Sequence, residues 1–87
     1  MLTELIGKII VIDTPYSLQY VGQLERFNSE FIELINADVH DAGNSKNTKE
    51  QYLIEAAKGI FHPNRKTVLV KQSSVISISK LEDIMVF

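Results

Sequence analysis

Few side chains in this chain are equipped for chemistry. Asp38-Val-His40-Asp41 brings three residues of metal-ligating type close together. A closed structural metal site takes four ligands. No fourth stands near, so the stretch reads as a solvated strand end. His62 precedes Pro63 and reads as an ordinary loop histidine. Ser73-Ser74 offers hydroxyls, but a serine nucleophile needs a base within hydrogen-bond reach. No histidine lies at short range. With no nucleophile–base pair to defend, the chain reads as a non-enzyme without metal or cofactor.

Binding through charge is the other possibility. Lys and Arg number 9 against 11 Asp and Glu, a net charge of −2. That total argues against a general nucleic-acid glue. The distribution is uneven. Residues 1–43 carry two basic and seven acidic side chains, net −5. Residues 44–71 carry six basic side chains (Lys46, Lys49, Lys58, Arg65, Lys66, Lys71) and two acidic ones, net +4. Residues 72–87 are net −1. The middle segment reads either as a solvated helix and loop or as a local basic surface.

The elements that would position these groups follow from hydrophobic pattern and turn chemistry. Leu2 to Leu5 can form a helical turn with both leucines on one side. It is too short to be stable alone. Gly7 opens a strand, Lys8-Ile-Ile-Val-Ile-Asp13, whose unbroken apolar run implies burial on both faces, or one face in the core and one at an interface. Thr14-Pro15-Tyr16-Ser17 is a turn. The second strand spans Leu18 to Phe27, with Tyr20, Gly22 and Leu24 on one face and Val21, Gln23, Glu25 and Phe27 on the other. Gly22 inside it implies a sharp bend or a close backbone approach. After the turn Asn28-Ser29-Glu30, the third strand runs from Phe31 to Asp38. Val39 to Ser45 is a loop.

A helix follows, with Thr48-Lys-Glu-Gln51 or Asn47 with Glu50 as capping box. Tyr52, Leu53, Ala56 and Ile60 form its apolar stripe. Gly59 is placed to end it in a left-handed conformation. Lys66 or Thr67 begins a fourth strand, and Val75 to Ser79 forms a fifth. The two are joined by the polar turn Lys71-Gln72-Ser73-Ser74. The tail from Lys80 to Phe87 has enough apolar content to dock on the body. Short, evenly spaced strands with a bend-forming glycine read as a mainly β fold, a small five-stranded barrel. A helical insert at about 40–66 separates its third and fourth strands.

A chain of 87 residues is expected to form one domain, 1–87. Such a domain buries only ~60–65% of the surface its unfolded chain exposes, so partner contacts would add usefully to its core. There is no cysteine, which fits a reducing, intracellular location. No apolar run approaches the ~20 residues that span a bilayer. The N-terminus lacks the pattern of a signal peptide. A cytoplasmic location and no membrane partner are expected.

Two stretches together resemble the Sm-like (LSm) family. The first is Gly7-Lys8-Ile-Ile10-Val-Ile12, then Tyr20-Val-Gly22-Gln-Leu24-Glu-Arg-Phe27-Asn28. Its glycines stand 15 positions apart, as in the family. The second is Val70-Lys71-Gln72-Ser-Ser-Val75-Ile-Ser-Ile78. The family's acidic residue after the aromatic is Asn28 here, and its asparagine falls near Ile32. The family's Arg-Gly is Lys71-Gln72. The bacterial RNA-chaperone branch carries lysine and then histidine there, so Lys71 matches that branch and Gln72 does not. The chain resembles a divergent prokaryotic or phage member.

The resemblance implies an SH3-like barrel and a homo-oligomeric ring of five to seven subunits. In such a ring the fourth strand of one copy pairs with the fifth of the next. It also implies that single-stranded RNA is held at two pore-facing turns, Asn28-Ser29-Glu30-Phe31 and Lys71-Gln72. On that reading a base stacks on Phe31, hydrogen-bonds to Asn28 or Gln72 and meets Lys71 through its phosphate. The rival reading makes Phe31 core and Asn28 a turn residue. The protein is then a structural or protein-interaction ring without RNA.

Overall fold

The computed structural model describes residues 1–44 and 46–86. Ser45 and Phe87, which belong to the expected loop and tail, lie outside them. The chain forms β1 (Ile9–Asp13), β2 (Leu18–Phe27), β3 (Phe31–Asp41), α1 (Lys49–Ala57), β4 (Arg65–Lys71) and β5 (Ser77–Lys80). All strand pairs are antiparallel, in one sheet of order β4-β3-β2-β1-β5. The fold is mainly β with a helix between the third and fourth strands, as expected. The insert is shorter than anticipated, because β3 continues to Asp41 and β4 starts at Arg65.

Both faces of the sheet are buried. Ile10, Ile12, Leu24, Ile32, Leu34, Ala37 and Val70 form the inner core, against which Leu2, Leu5 and Phe27 pack. Val11, Val21 and Tyr52 form a second cluster on the outer face, joined by Leu53, Phe61, Leu81 and Ile84. The apolar run of β1 thus divides between the two layers. The N-terminal turn closes the inner core. Helix α1 and the tail cover the outer face.

Two irregularities bend the sheet. The β2–β3 register shifts between Val21 and Gln23, and again between Leu24 and Arg26. At the first, Asn36 adopts a positive φ of 48° and Ala37 turns into the inner core. A Cβ on Gly22 would lie 3.0 Å from the Ala37 Cβ and 3.1 Å from its Cα. The close approach expected at Gly22 is therefore real, and its partner is the bulged strand. The second shift makes Glu25 the extra residue and sends Phe27 to the inner core. Strict alternation would put Phe27 on the face of Val21.

Helix α1 starts with the expected capping box. The Gln51 backbone N–H donates to Thr48 Oγ1 at 3.1 Å, and the Thr48 N–H to Gln51 Oε1 at 3.0 Å. Gly59, at φ 86°, ends it. Tyr52 and Ala56 are buried, whereas Ile60, beyond Gly59, is 54% exposed and leaves the expected stripe. Among the described residues no helix is long and apolar enough to cross a membrane.

The sheet is bent but not closed. β4 pairs with β3 and β5 with β1, and the two do not pair with each other. A 3-10 turn, Gln72–Ser74, separates them, and β5 begins at Ser77 rather than Val75. Each is an edge strand with an exposed apolar residue in or beside it: Leu69 is 57% and Ile76 63% exposed.

Candidate nucleic-acid interface

The pairing of β3 with β4 creates the site. Phe31, the first residue of β3, lies opposite Lys71, the last of β4. The β2–β3 turn and the β4–β5 connection therefore leave the sheet side by side. Asn28 shapes the first turn. Its Oδ1 accepts from the backbone N–H groups of Glu30 and Phe31, both at 2.8 Å. Its own N–H donates to the Phe31 carbonyl at 2.9 Å.

Gln72 straps the second turn to the first. Its backbone N–H donates to the Glu30 carbonyl at 2.8 Å, and its Nε2 to the Asn28 carbonyl at 2.9 Å. Ser74 Oγ donates to the Lys71 carbonyl at 2.8 Å and tightens the 3-10 turn. Between the turns lies an open recess of about 250 Å³ lined by Ser29, Glu30, Phe31, Lys71 and Ser73. The half-buried Phe31 also lines a neighbouring hollow of about 350 Å³, with Arg26, Asn28 and Glu33 among its walls. There Arg26 Nε donates to Glu33 Oε1 at 2.8 Å.

All four residues expected at the site, Asn28, Phe31, Lys71 and Gln72, are thus in one place. Their groups are not equally free. The Asn28 amide oxygen is engaged by its own turn, and the Gln72 amide nitrogen by Asn28. The half-buried Phe31 lines both hollows and Lys71 is exposed, so both are accessible to a ligand. Glu30 and Ser73 also line the recess. The resemblance places Glu30 in a pore-facing turn but gives neither it nor Ser73 a role of its own; the β3–β4 register is what brings the two turns together.

No family model and no curated protein matches the chain. Solved structures do. An Sm protein of Pyrococcus abyssii, in complex with a uridine heptamer, superposes with a TM-score of 0.61 at 11% identity, over 90% of this chain and 89% of that one. The fold is Sm-like. A chain from the NatC complex bound to Gag peptide and CoA also superposes, with a TM-score of 0.58 at 18% identity, over 90% of this chain and 87% of that one. At such identities the likeness establishes the fold alone.

Within this Sm-like fold, Ile32 is fully buried in the inner core and offers no polar group to a ligand. The Asp38–Asp41 stretch is more ordered than a solvated strand end. Asp38 accepts from the Tyr52 hydroxyl at 2.8 Å and from Asn64 Nδ2 at 3.3 Å. His40 stacks on the Tyr52 ring, with centroids 4.1 Å apart. Asp41 accepts from Ser17 Oγ at 2.6 Å, from the Gly43 N–H at 2.9 Å and from Asn44 Nδ2 at 3.0 Å. These hydrogen bonds, that of Ser17 foremost, hold the Asp41 carboxyl below the usual carboxylate range. Lys49 Nζ ties α1 to Asp13 Oδ1 at 2.8 Å and to the Thr14 carbonyl at 3.0 Å. The acidic stretch anchors the helical insert. Among the described residues no three His, Asp or Glu side chains converge as metal ligands would.

Proposed function

We propose that the chain assembles with its own copies into a closed ring of five to seven subunits and binds single-stranded RNA at the joined turns. It acts as a binding protein in the cytoplasm, not as an enzyme. The observation that carries the reading is the double strap from Gln72 to Glu30 and Asn28. It fixes an aromatic face, Phe31, beside an exposed cation, Lys71, in one solvent-open recess. An aromatic platform beside a positive charge is what sequence-tolerant single-strand binding requires. The likeness to an Sm protein held with a uridine heptamer supports the same reading.

Assembly is supported by the two edge strands. An unpaired strand edge offers a row of free backbone donors and acceptors, which a partner strand satisfies. One sheet with two such edges joins head to tail, and a rotation that closes gives a ring. Repetition then places one Lys71 per subunit around it, offsetting the net acidity of each chain. Native mass spectrometry with and without nuclease, followed by fluorescence anisotropy with labelled oligonucleotides, tests both parts. A monomeric mass overturns the ring. Equal affinity of wild type and Lys71→Ala overturns the site.

A second reading rests on Asn28. Its amide oxygen is spent on the turn and Ile32 is buried, so two positions that hold polar groups in the family offer little to a base. The protein is then a structural or protein-interaction ring. Co-purification of a protein partner with no nucleic acid favours it.

A further inference from the structure

Phe31 has a cation on either side. Strand β3 lies between β2 and β4 in the sheet. On the β4 side, Phe31 stands opposite Lys71. Glu33, two residues further along β3, shares the face of Phe31, because the buried Ile32 between them points the other way. On the β2 side, Glu33 stands opposite Arg26. The two cations thus reach the ring from the strands that flank it, whose backbones run about 10 Å apart, two strand spacings. Each cation belongs to its own hollow, and Phe31 is a wall of both.

Arg26 presents its charge outward. Its Nε donates to Glu33 Oε1 at 2.8 Å, among the described residues the one hydrogen bond the guanidinium makes. The Arg26 side chain is 78% exposed and that of Glu33 16%. The carboxylate therefore lies on the floor of the hollow and the guanidinium at its rim. An approaching anion meets the guanidinium first. A guanidinium carries five N–H donors in a planar fork. The bond to Glu33 uses the Nε donor, fixes the direction of the fork and leaves the terminal nitrogens free for phosphate oxygens.

In a single strand each base has a phosphate on its 5′ and on its 3′ side. With a base on Phe31 and one phosphate at Lys71, the far side of the ring is where the strand continues, and Arg26 stands there. We infer that Arg26 is a second phosphate contact, so that the strand crosses β3 from Lys71 to Arg26. The inference rests on the RNA-binding reading above and extends its site by a residue from β2.

The test is the salt dependence of binding. Anisotropy with labelled oligouridylate and oligoadenylate is measured at several salt concentrations on the wild type, on Arg26→Gln and on Arg26→Gln combined with Glu33→Gln. An exposed ion pair adds little to folding, so both variants keep the fold, as circular dichroism checks. Arg26→Gln is expected to flatten the slope of log affinity against log salt by about 0.7 for each subunit whose phosphate contact is lost. The combined variant is expected to show the same flattening, since the contact is gone with or without the carboxylate. A wild-type slope in Arg26→Gln overturns the inference. So does a flattening that disappears when Glu33→Gln is added, which would trace the effect to an unmasked carboxylate. RNA binding stands in both cases. A wild type that binds neither oligonucleotide overturns the RNA-binding reading and the inference with it.

Discussion

Gln72 and Asn28 stand 44 positions apart, yet the Gln72 side-chain amide donates to the Asn28 backbone carbonyl at 2.9 Å. Asn28 in turn organises its own loop through Oδ1. One side chain thus couples a local turn to a distant strand end. Together with the Gln72 N–H to the Glu30 carbonyl, this hydrogen bond makes the recess a single structural unit. Gln72→Ala removes it and leaves the carbonyl to water. A neutral hydrogen bond of this kind contributes about 0.5–1.5 kcal/mol. Urea denaturation at fixed protein concentration should register a drop of that size. Faster amide exchange at Glu30 and Phe31 should accompany it. Unchanged exchange there would mean that the turns hold their shape independently.

Lys71→Ala should weaken RNA binding most at low salt. On a single strand, each phosphate deprived of its lysine reduces the slope of log affinity against log salt by about 0.7. In a ring the substitution repeats in every subunit, so the slope should fall by a multiple of that value, set by how many subunits the oligonucleotide touches. Anisotropy titrations at several salt concentrations measure it. A slope equal to that of the wild type places the phosphates elsewhere.

Leu69→Lys addresses the edge of β4. Leu69 is 57% exposed there, and lysine on an edge strand opposes pairing with a neighbour. The native mass should shift from the assembled species toward single subunits, while far-ultraviolet circular dichroism remains that of a β protein. An unaltered assembly mass would show that the subunits associate through another surface.

Gly22→Ala should cost stability without altering the site. The new Cβ would stand 3.1 Å from the Ala37 Cα and 3.3 Å from the Ile35 carbonyl oxygen. Both are backbone atoms of the bulged strand and have little room to yield. Overpacking of this sort costs about 1–3 kcal/mol. The midpoint of urea unfolding should fall accordingly. A midpoint equal to that of the wild type would mean that β2 and β3 can separate at the bulge.

Much of this fold is legible in the chain because the signals are local. The β-branched run Ile9–Ile12, the Thr48–Gln51 box and the helix-ending Gly59 each act within a few residues. Gly22 announces a close approach, though not its partner. What escapes is cross-strand register. Phe27 changes face because Glu25 is an extra residue relative to β3, and a single strand's periodicity cannot show an insertion relative to its partner. For the recess, the resemblance brings the two turns to one place, but their residue pairing escapes in the same way. Asn28, Phe31, Lys71 and Gln72 come from two separate motifs. The opposition of Phe31 and Lys71, which brings Glu30 into the wall, belongs to neither motif alone. Ile60 leaves the expected stripe for a simpler reason, since helical spacing does not carry past the glycine that ends the helix.

Tyr52 gives the fold an alkaline limit. Its ring is buried between α1 and the sheet, and its hydroxyl donates to Asp38 Oδ2 at 2.8 Å. Burial foremost, then the Asp38 carboxylate, pushes its ionisation well above the ordinary tyrosine range. A group whose folded pKa is raised contributes stability that is complete below its unfolded pKa and is lost as pH rises beyond it. The unfolded value for tyrosine is about 10. Stability should therefore hold steady to about that pH and decline above it, as the unfolded chain sheds a proton that the folded chain keeps. Tyr52→Phe removes the hydroxyl and should flatten this alkaline limb. At neutral pH it should cost about 1.5–3 kcal/mol, the range for a hydrogen bond to a charged group. Urea midpoints from about pH 7 to about pH 11, spanning the tyrosine value, would test the pair of effects in both proteins. Parallel pH profiles would show that another group sets the alkaline limit.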